Sequence, residues 1–173
     1  MTDDGPRIER ERKFLVRGRD FFEGQPSTPF LQGYLVITDK VELRIRAGPA
    51  GQTLTAKGPP GEARPEEDLP IADRLLAIAL IEACDGRVLV KTRYIVEVPD
   101  EDGKEIDHWV VDEYHGDNEG LVIAEYEYPD ESSSRQLKRP AWVGREVTQL
   151  NRYYGRNLVD YPYREWTVEE RAD

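Results

Sequence analysis

Glu9, Glu11 and Lys13 occupy alternate positions of the run Glu9-Arg10-Glu11-Arg12-Lys13. Side chains of an extended strand alternate between faces, so these three project together. Two carboxylates beside an ammonium make a poor core face, but a good one for holding a divalent cation next to an anion. The layout returns as Glu42/Arg44/Arg46, Lys91/Arg93 and Glu125/Glu127. Several strands that each aim charge at one face suggest a barrel with a charged interior. The bases Lys13, Arg44, Arg46, Lys57, Lys91 and Arg93 suit a phosphate chain, because the arginine fork matches phosphate oxygens and lysine supplies a compact charge. The acids Glu9, Glu11, Glu42, Asp112, Glu125 and Glu127 suit hard cations, which take oxygen ligands. Any one pair, such as Lys91/Arg93, is better explained as a solvated strand face with cross-strand ion pairs than as a site. The coincidence over several strands favours a site.

These positions need strands to hold them. The pattern predicts strands over residues 7–16, 30–37, 41–47, 52–57, 88–98, 104–114 and 121–128, with a turn over 100–103. Residues 64–71 read as an edge or irregular strand, because Pro65 and Pro70 lie inside them. Residues 72–84 read as a helix with Leu75, Leu76, Ala79, Leu80 and Ala83 as its apolar stripe. Short helices are expected over 131–139 and 148–154, and a loose helix or frayed end in the acidic tail 163–173. The fold class is therefore α+β but mainly β: an eight-stranded antiparallel barrel with a few helices outside or at one end.

The chain has 173 residues, which fits a single domain over 1–173. Charged residues make up 34% and hydrophobic residues 38%, as expected if interior positions are spent on charge. The net charge of −11 argues against a nucleic-acid partner, which would call for a basic face. A local cluster of arginine and lysine still allows a phosphate ligand. With only Cys84, His108 and His115 as soft ligands, any metal must be held by oxygen, which points to magnesium, manganese or calcium. Cys84 reads as a small core residue, the tryptophans as packing or rim aromatics, and His115 as a solvated turn residue. His108 shares the Asp112 face if its strand is regular. No apolar run resembles a leader or spans a bilayer, so the expected location is the cytoplasm, without membrane association.

The order of the charged segments resembles the CYTH superfamily, the triphosphate tunnel metalloenzymes. Glu9-Arg10-Glu11-Arg12-Lys13 is similar to its Glu-x-Glu-x-Lys signature. Gln32-Gly33-Tyr34-Leu35, Glu42-Leu43-Arg44-Ile45-Arg46, Thr55-Ala56-Lys57, Arg64-Pro65-Glu66-Glu67-Asp68, Lys91-Thr92-Arg93-Tyr94, Asp112 and Glu125-Tyr126-Glu127 follow in family order, over residues 7–158. The closing Trp142 to Thr148 stretch, with Tyr153, Tyr154 and Asn157-Leu158, resembles the bacterial short-chain branch. Asp68 stands where the family has glutamate, and Pro65 interrupts that strand, which leaves the roles of Glu66 and Asp68 open.

The resemblance implies a tunnel whose lumen holds a triphosphate. Lys13, Arg44, Arg46, Lys57, Lys91 and Arg93 would grip the phosphates. Glu9, Glu11, Glu125 and Glu127, with Asp112 as a further ligand, would hold one or two Mg2+ or Mn2+ ions. Tyr34 and Lys57 would orient the attacking water, or Tyr34 would simply bond a phosphate. The implied activity is hydrolysis of tripolyphosphate to pyrophosphate and phosphate. Alternatives are hydrolysis of a nucleoside or thiamine triphosphate, a class IV-type adenylate cyclase, or a polyphosphate- or nucleotide-binding module without turnover. Such relatives often dimerise, so a homodimer is expected, although no residue patch identifies it.

Overall fold

The computed structural model describes residues 7–99, 106–130 and 137–172. Nine strands follow in chain order: β1 Ile8–Val16, β2 Ser27–Ile37, β3 Glu42–Gly48, β4 Gly51–Lys57, β5 Ala63–Ile71, β6 Val88–Pro99, β7 Ile106–His115, β8 Val122–Glu127 and β9 Val143–Glu146. The helices are α1 Arg74–Glu82, α2 Gly155–Leu158 and α3 Val168–Ala172, with short 3-10 turns at Gly116–Asn118, Asn151–Tyr153 and Tyr163–Glu165.

The strands form one antiparallel sheet in the order β5-β4-β3-β2-β6-β7-β8-β1-β9, and β5 returns to pair with β1. This closes an eight-stranded barrel, with β9 laid beside β1. The closing seam is short: Ile8, Glu9 and Arg10 face Pro65, Arg64 and Ala63. On its other edge β1 pairs with β8, where Glu11, Lys13 and Leu15 face Glu127, Glu125 and Ile123. The strand expected at 64–71 is thus no simple edge. Pro65 lies in the seam, while Pro70 pairs only with β4.

The barrel inverts the usual arrangement. Glu9, Glu11 and Lys13 are buried on its inside, and much of the apolar core lies on its outside. One layer gathers Phe14, Trp109, Val111 and Ala124 under Phe22 and Trp142. A second cluster fills the barrel interior beyond the charges, where Tyr34, Leu89, Tyr114 and Ile123 meet Val147, Tyr153, Leu158 and Trp166 of the C-terminal segment. That segment is tied to β1, with Val147 N donating to Lys13 O at 2.8 Å and Lys13 N to Thr148 Oγ1 at 3.0 Å. All three tryptophans pack in these layers.

Helix α1 covers the outside of β2 and β3. Asp73 caps it, accepting from Leu75 N at 2.8 Å and Leu76 N at 3.2 Å. Asp85 and Gly86, both at positive φ, follow its end. Its close approach depends on Gly33, where a Cβ would lie 2.5 Å from Cys84 Sγ. The buried side of α1 consists of Ala77 with Leu80 and Ile81, next to Cys84. Leu75 and Leu76, expected in the buried stripe, face solvent. Almost every residue of this helix is apolar, so periodicity did not distinguish its sides.

Other expectations also change. Residues 148–154 form a 3-10 turn that leads into α2, not a helix of their own. β9 was not foreseen, because four residues give too little alternation to read. The short helix expected over 131–139 and the turn over 100–103 fall on or partly outside the described residues, and residues 137–139 carry no helix. Trp166 is buried, so the tail is docked at that point.

Candidate functional site

The lumen holds a polar cavity of about 120 Å³. Strand alternation places its wall: Glu9, Glu11 and Lys13 from β1; Gln32 and Tyr34 from β2; Glu42, Arg44 and Arg46 from β3; Lys57 from β4; Arg64, Glu66 and Asp68 from β5; Lys91 and Arg93 from β6; Tyr114 from β7; Glu125 and Glu127 from β8. Tyr154 and Gly155 of the C-terminal segment also line it. An eight-stranded barrel has room inside for side chains or one small ligand. Here charged side chains surround a small remaining space.

On the β1, β5 and β8 side, the cations are held by carboxylates. Lys57 Nζ donates to both Glu9 oxygens at 2.8 and 2.6 Å and lies 3.3 Å from Glu66. Arg64 Nε donates to Glu9 at 3.2 Å, and its other nitrogens lie 3.6 Å from Glu11 and 3.7 Å from Glu42. Lys13 Nζ donates to Glu125 and lies 2.9 Å from Glu11. Burial works against the Lys13 ammonium, but Glu11 and Glu125 hold its pKa well above the ordinary lysine value. Burial likewise opposes the Glu9 carboxylate, yet Lys57, a hydrogen bond from Glu66 and Arg64 hold its carboxyl far below the ordinary range. Burial and the neighbouring Glu9 carboxyl push Glu66 up to about 7. Burial, with the like charges of Glu9, Glu125 and Glu11, raises the carboxyl of half-exposed Glu127.

The β2, β3, β6 and β7 side is different. Asp112, fully buried, accepts two hydrogen bonds from Arg93 at 2.8 and 2.7 Å and one from Lys91 at 2.5 Å. Burial nevertheless pushes the Lys91 ammonium down to about 7, with Asp112 pulling the other way. Arg46 has no carboxylate within ion-pair distance among the described residues. Its Nε donates to Gln32 Oε1 at 3.3 Å, while Gln32 Nε2 donates to the Tyr34 hydroxyl at 2.7 Å. Burial, then Arg44 and Arg93, lower the Arg46 guanidinium to about 10, which leaves it charged at neutral pH. Burial and Glu42 raise the Tyr34 phenol above its ordinary value. Tyr34 therefore stays protonated.

Arg44 Nε and Arg64 Nη1 are buried without a hydrogen-bond partner, while Glu11 Oε1 is held only by the ion pairs with Lys13 and Arg64. Buried polar atoms are rarely left without a hydrogen bond, and all three residues line the lumen. The two arginines leave donors for an anion. As the side chains stand, no three carboxylate or imidazole groups among the described residues form a ready metal cage. The donor set still fits a hard divalent ion. Glu11 lies directly across from Glu127, Lys13 from Glu125, and the crowded carboxylates repel one another.

No family model matches the chain. An inorganic triphosphatase of Acetivibrio thermocellus is 36% identical over 160 residues, covering 90% of this chain and 96% of that protein. One from Nitrosomonas europaea is 35% identical over 153 residues, covering 87% and 96%. The chain belongs to the inorganic triphosphatase family. The crystal structure of the inorganic triphosphatase NE1496 superposes with a TM-score of 0.63 at 32% identity, covering 87% of this chain and 93% of that one.

Within this triphosphatase fold, the structure brings every site residue expected from sequence to the lumen wall, or in the case of Asp112 directly behind it. His108 is exposed near Glu97 and stands apart from the cavity. Sequence reasoning quoted Arg64 and Gln32 only within motifs and assigned them no role, counted Glu42 among the acids suited to a cation, and left Glu66 open; in the structure Arg64 touches three carboxylates, Glu42 among them. Arg64 and Glu66 share a strand face by simple alternation. That signal was available, but the prolines obscured it. Tyr154 could not be read, because it reaches the lumen from a turn outside the barrel. Its ring lies 5.3 Å from Lys13 Nζ and 6.0 Å from the Arg64 guanidinium.

Proposed function

We propose that this chain hydrolyses tripolyphosphate to pyrophosphate and phosphate inside the barrel, with a divalent cation, Mg2+ or Mn2+, on the β1 and β8 carboxylates. The observation that carries this reading is Arg46: a half-buried, charged guanidinium that faces the lumen without a carboxylate partner among the described residues, beside Arg44 and Arg93. Isolated ions are costly to bury, so such a group is expected to meet an anion. The lengths of the known relatives match this chain nearly end to end.

The phosphates lie against Arg44, Arg46, Lys91 and Arg93, whose charges neutralise the oxygens as the terminal phosphoryl group is transferred. Gln32 fixes the Arg46 fork, and Asp112 positions Lys91 and Arg93. Lys57 and Lys13 turn from their carboxylates toward the substrate as it enters. Glu9, Glu11, Glu125 and Glu127 would hold the cation, which when bound screens phosphate charge and lowers the pKa of water. Tyr34, kept protonated, donates a hydrogen bond to a phosphate or water oxygen and does not act as a base. Water attacks the terminal phosphorus, the bridging P–O bond breaks, and pyrophosphate leaves.

Product analysis with tripolyphosphate and with ATP, each with Mg2+, Mn2+ or chelator, tests this. Metal-dependent phosphate and pyrophosphate from tripolyphosphate, with little from ATP, is the expected result. Cyclic AMP from ATP would make the chain a cyclase. Preferential turnover of ATP or thiamine triphosphate would make it an organic triphosphatase. Tight binding without turnover would leave a binding module.

A further inference from the structure

A second cavity, of about 320 Å³, opens where β1 ends and β8 begins, against the C-terminal segment. It shares no lining residue with the lumen. Gly18 and Gly120, both at positive φ, turn the chain at these two strand ends and line the space between them. The floor is apolar. Leu121 and Tyr153 are buried members of the interior cluster, and Leu15 and Tyr163 pack against that cluster.

The rest of the lining is cationic. Arg19 reaches the cavity from the turn after β1, and Arg171 from α3. Arg171 lies over the Tyr163 ring at 4.9 Å, and its Nη2 donates to Arg164 O at 2.8 Å. Arg19 pairs through its Nη2 with Glu113, whose side chain stands outside the cavity. A guanidinium offers five N–H donors in a planar fork, so both groups keep donors for a further anion. Among the described residues no carboxylate lines this cavity. That composition stands out in a chain whose acids outnumber its lysines and arginines 35 to 24.

The two halves define an occupant. Arginine forks match the oxygens of a carboxylate or a phosphate. An inorganic anion would gain nothing from the apolar floor, and a neutral apolar molecule nothing from the two guanidinium groups. Small-molecule sites combine mostly apolar walls with a few polar groups that fix orientation, in volumes from about 300 Å³ upward. We propose that this cavity is a second ligand site, which takes a small organic anion: a carboxylate or phosphate monoester on an apolar body. The anionic head meets Arg19 and Arg171, and the body lies on Leu15, Leu121 and Tyr153. The site is separate from the lumen chemistry, because Leu15 and Tyr153 face it while Lys13 and Tyr154 face the lumen.

Backbone amide NMR of the full chain tests this, because the amides of Gly18, Gly120 and Leu121 report on this cavity and not on the lumen. The probes are hexanoate, hexyl phosphate, hexanol and inorganic phosphate. Hexanoate or hexyl phosphate should shift those amides saturably, at roughly millimolar affinity or tighter for so small a molecule. The tighter of the two identifies the head group. Hexanol and inorganic phosphate should bind at least about tenfold more weakly. Arg19→Gln and Arg171→Gln should each weaken binding about tenfold, as loss of a charge-assisted hydrogen bond does, with melting temperature as the control for folding. Arg46→Ala, which alters the lumen, should leave the response unchanged. No saturable shift at these amides would overturn the proposal. So would hexanol or inorganic phosphate binding as tightly as the organic anions, both arginine variants binding like wild type, or a response lost in Arg46→Ala.

Discussion

The two sides of the lumen solve the problem of buried charge in different ways. Around β1, β5 and β8, Lys13, Lys57 and Arg64 each touch two or more carboxylates. Around β2, β3, β6 and β7, Asp112 alone serves Lys91 and most of Arg93, and Arg46 is left with an amide. The first side is an internally neutralised network, whose lysines a metal ion would displace under the proposed function. The second holds positive charge in reserve. Buried ion pairs contribute little net stability after desolvation. The contrast is therefore better understood as preparation for a metal–anion pair than as reinforcement of the fold.

The largest effect should come from the first side. Glu9→Gln or Glu11→Gln should reduce metal-dependent triphosphatase activity by more than the roughly 10–100-fold that loss of a second-shell metal partner costs. Folding should be preserved, as checked by steady-state rates alongside thermal melts. If activity survives, that side is structural. Next, Arg46→Ala should lower kcat/KM by about 10²–10³-fold, comparable to removal of one preorganised donor. Gln32→Leu should have a smaller effect of the same kind, because it loosens the fork without removing the charge. If Arg46→Ala instead behaves like wild type, the charge is not held for substrate.

The third test uses pH. Lys91 has a folded pKa of about 7 against about 10.4 in an unfolded chain. Between these values the unfolded state binds the extra proton, so this group makes stability rise with pH across that window. Lys91→Met should remove that rise, which melting temperatures at pH 7 to 10 will show. In the wild type, triphosphate binding above pH 7 should take up a proton, visible as a buffer-dependent heat in calorimetry. Last, a Cβ at Gly155 would overlap the Tyr34 hydroxyl. Gly155→Ala should cost about 1–3 kcal/mol of stability, as overpacking does. Tyr34→Phe in the same chain should recover part of it, measured by denaturant unfolding.

Much of this was legible because β structure inside a barrel repeats every two residues. Glu9/Glu11/Lys13 and Glu42/Arg44/Arg46 announce their shared face directly. What escaped was whatever alternation does not encode. The pairing of Arg64 with Glu9 depends on which strands meet at the seam. The exposed side of α1 depends on packing, since both its sides are apolar. Tyr154 reaches the lumen through chain connectivity alone. The missing carboxylate at Arg46 is likewise a fact of three dimensions, because Glu42 and Arg44 lie in the same run of sequence.

The seam has a consequence for how the protein is made. β1 emerges from the ribosome first, but its neighbours β5, β8 and β9 follow about 50 to 130 residues later, and domains are synthesised at roughly 5–20 residues per second. For those seconds β1 is an unpaired strand, the kind of segment that ordinarily seeds aggregation. Its alternating glutamate, arginine and lysine keep it solvated through the wait. The charges that later fill the tunnel thus first act as gatekeepers for the nascent chain.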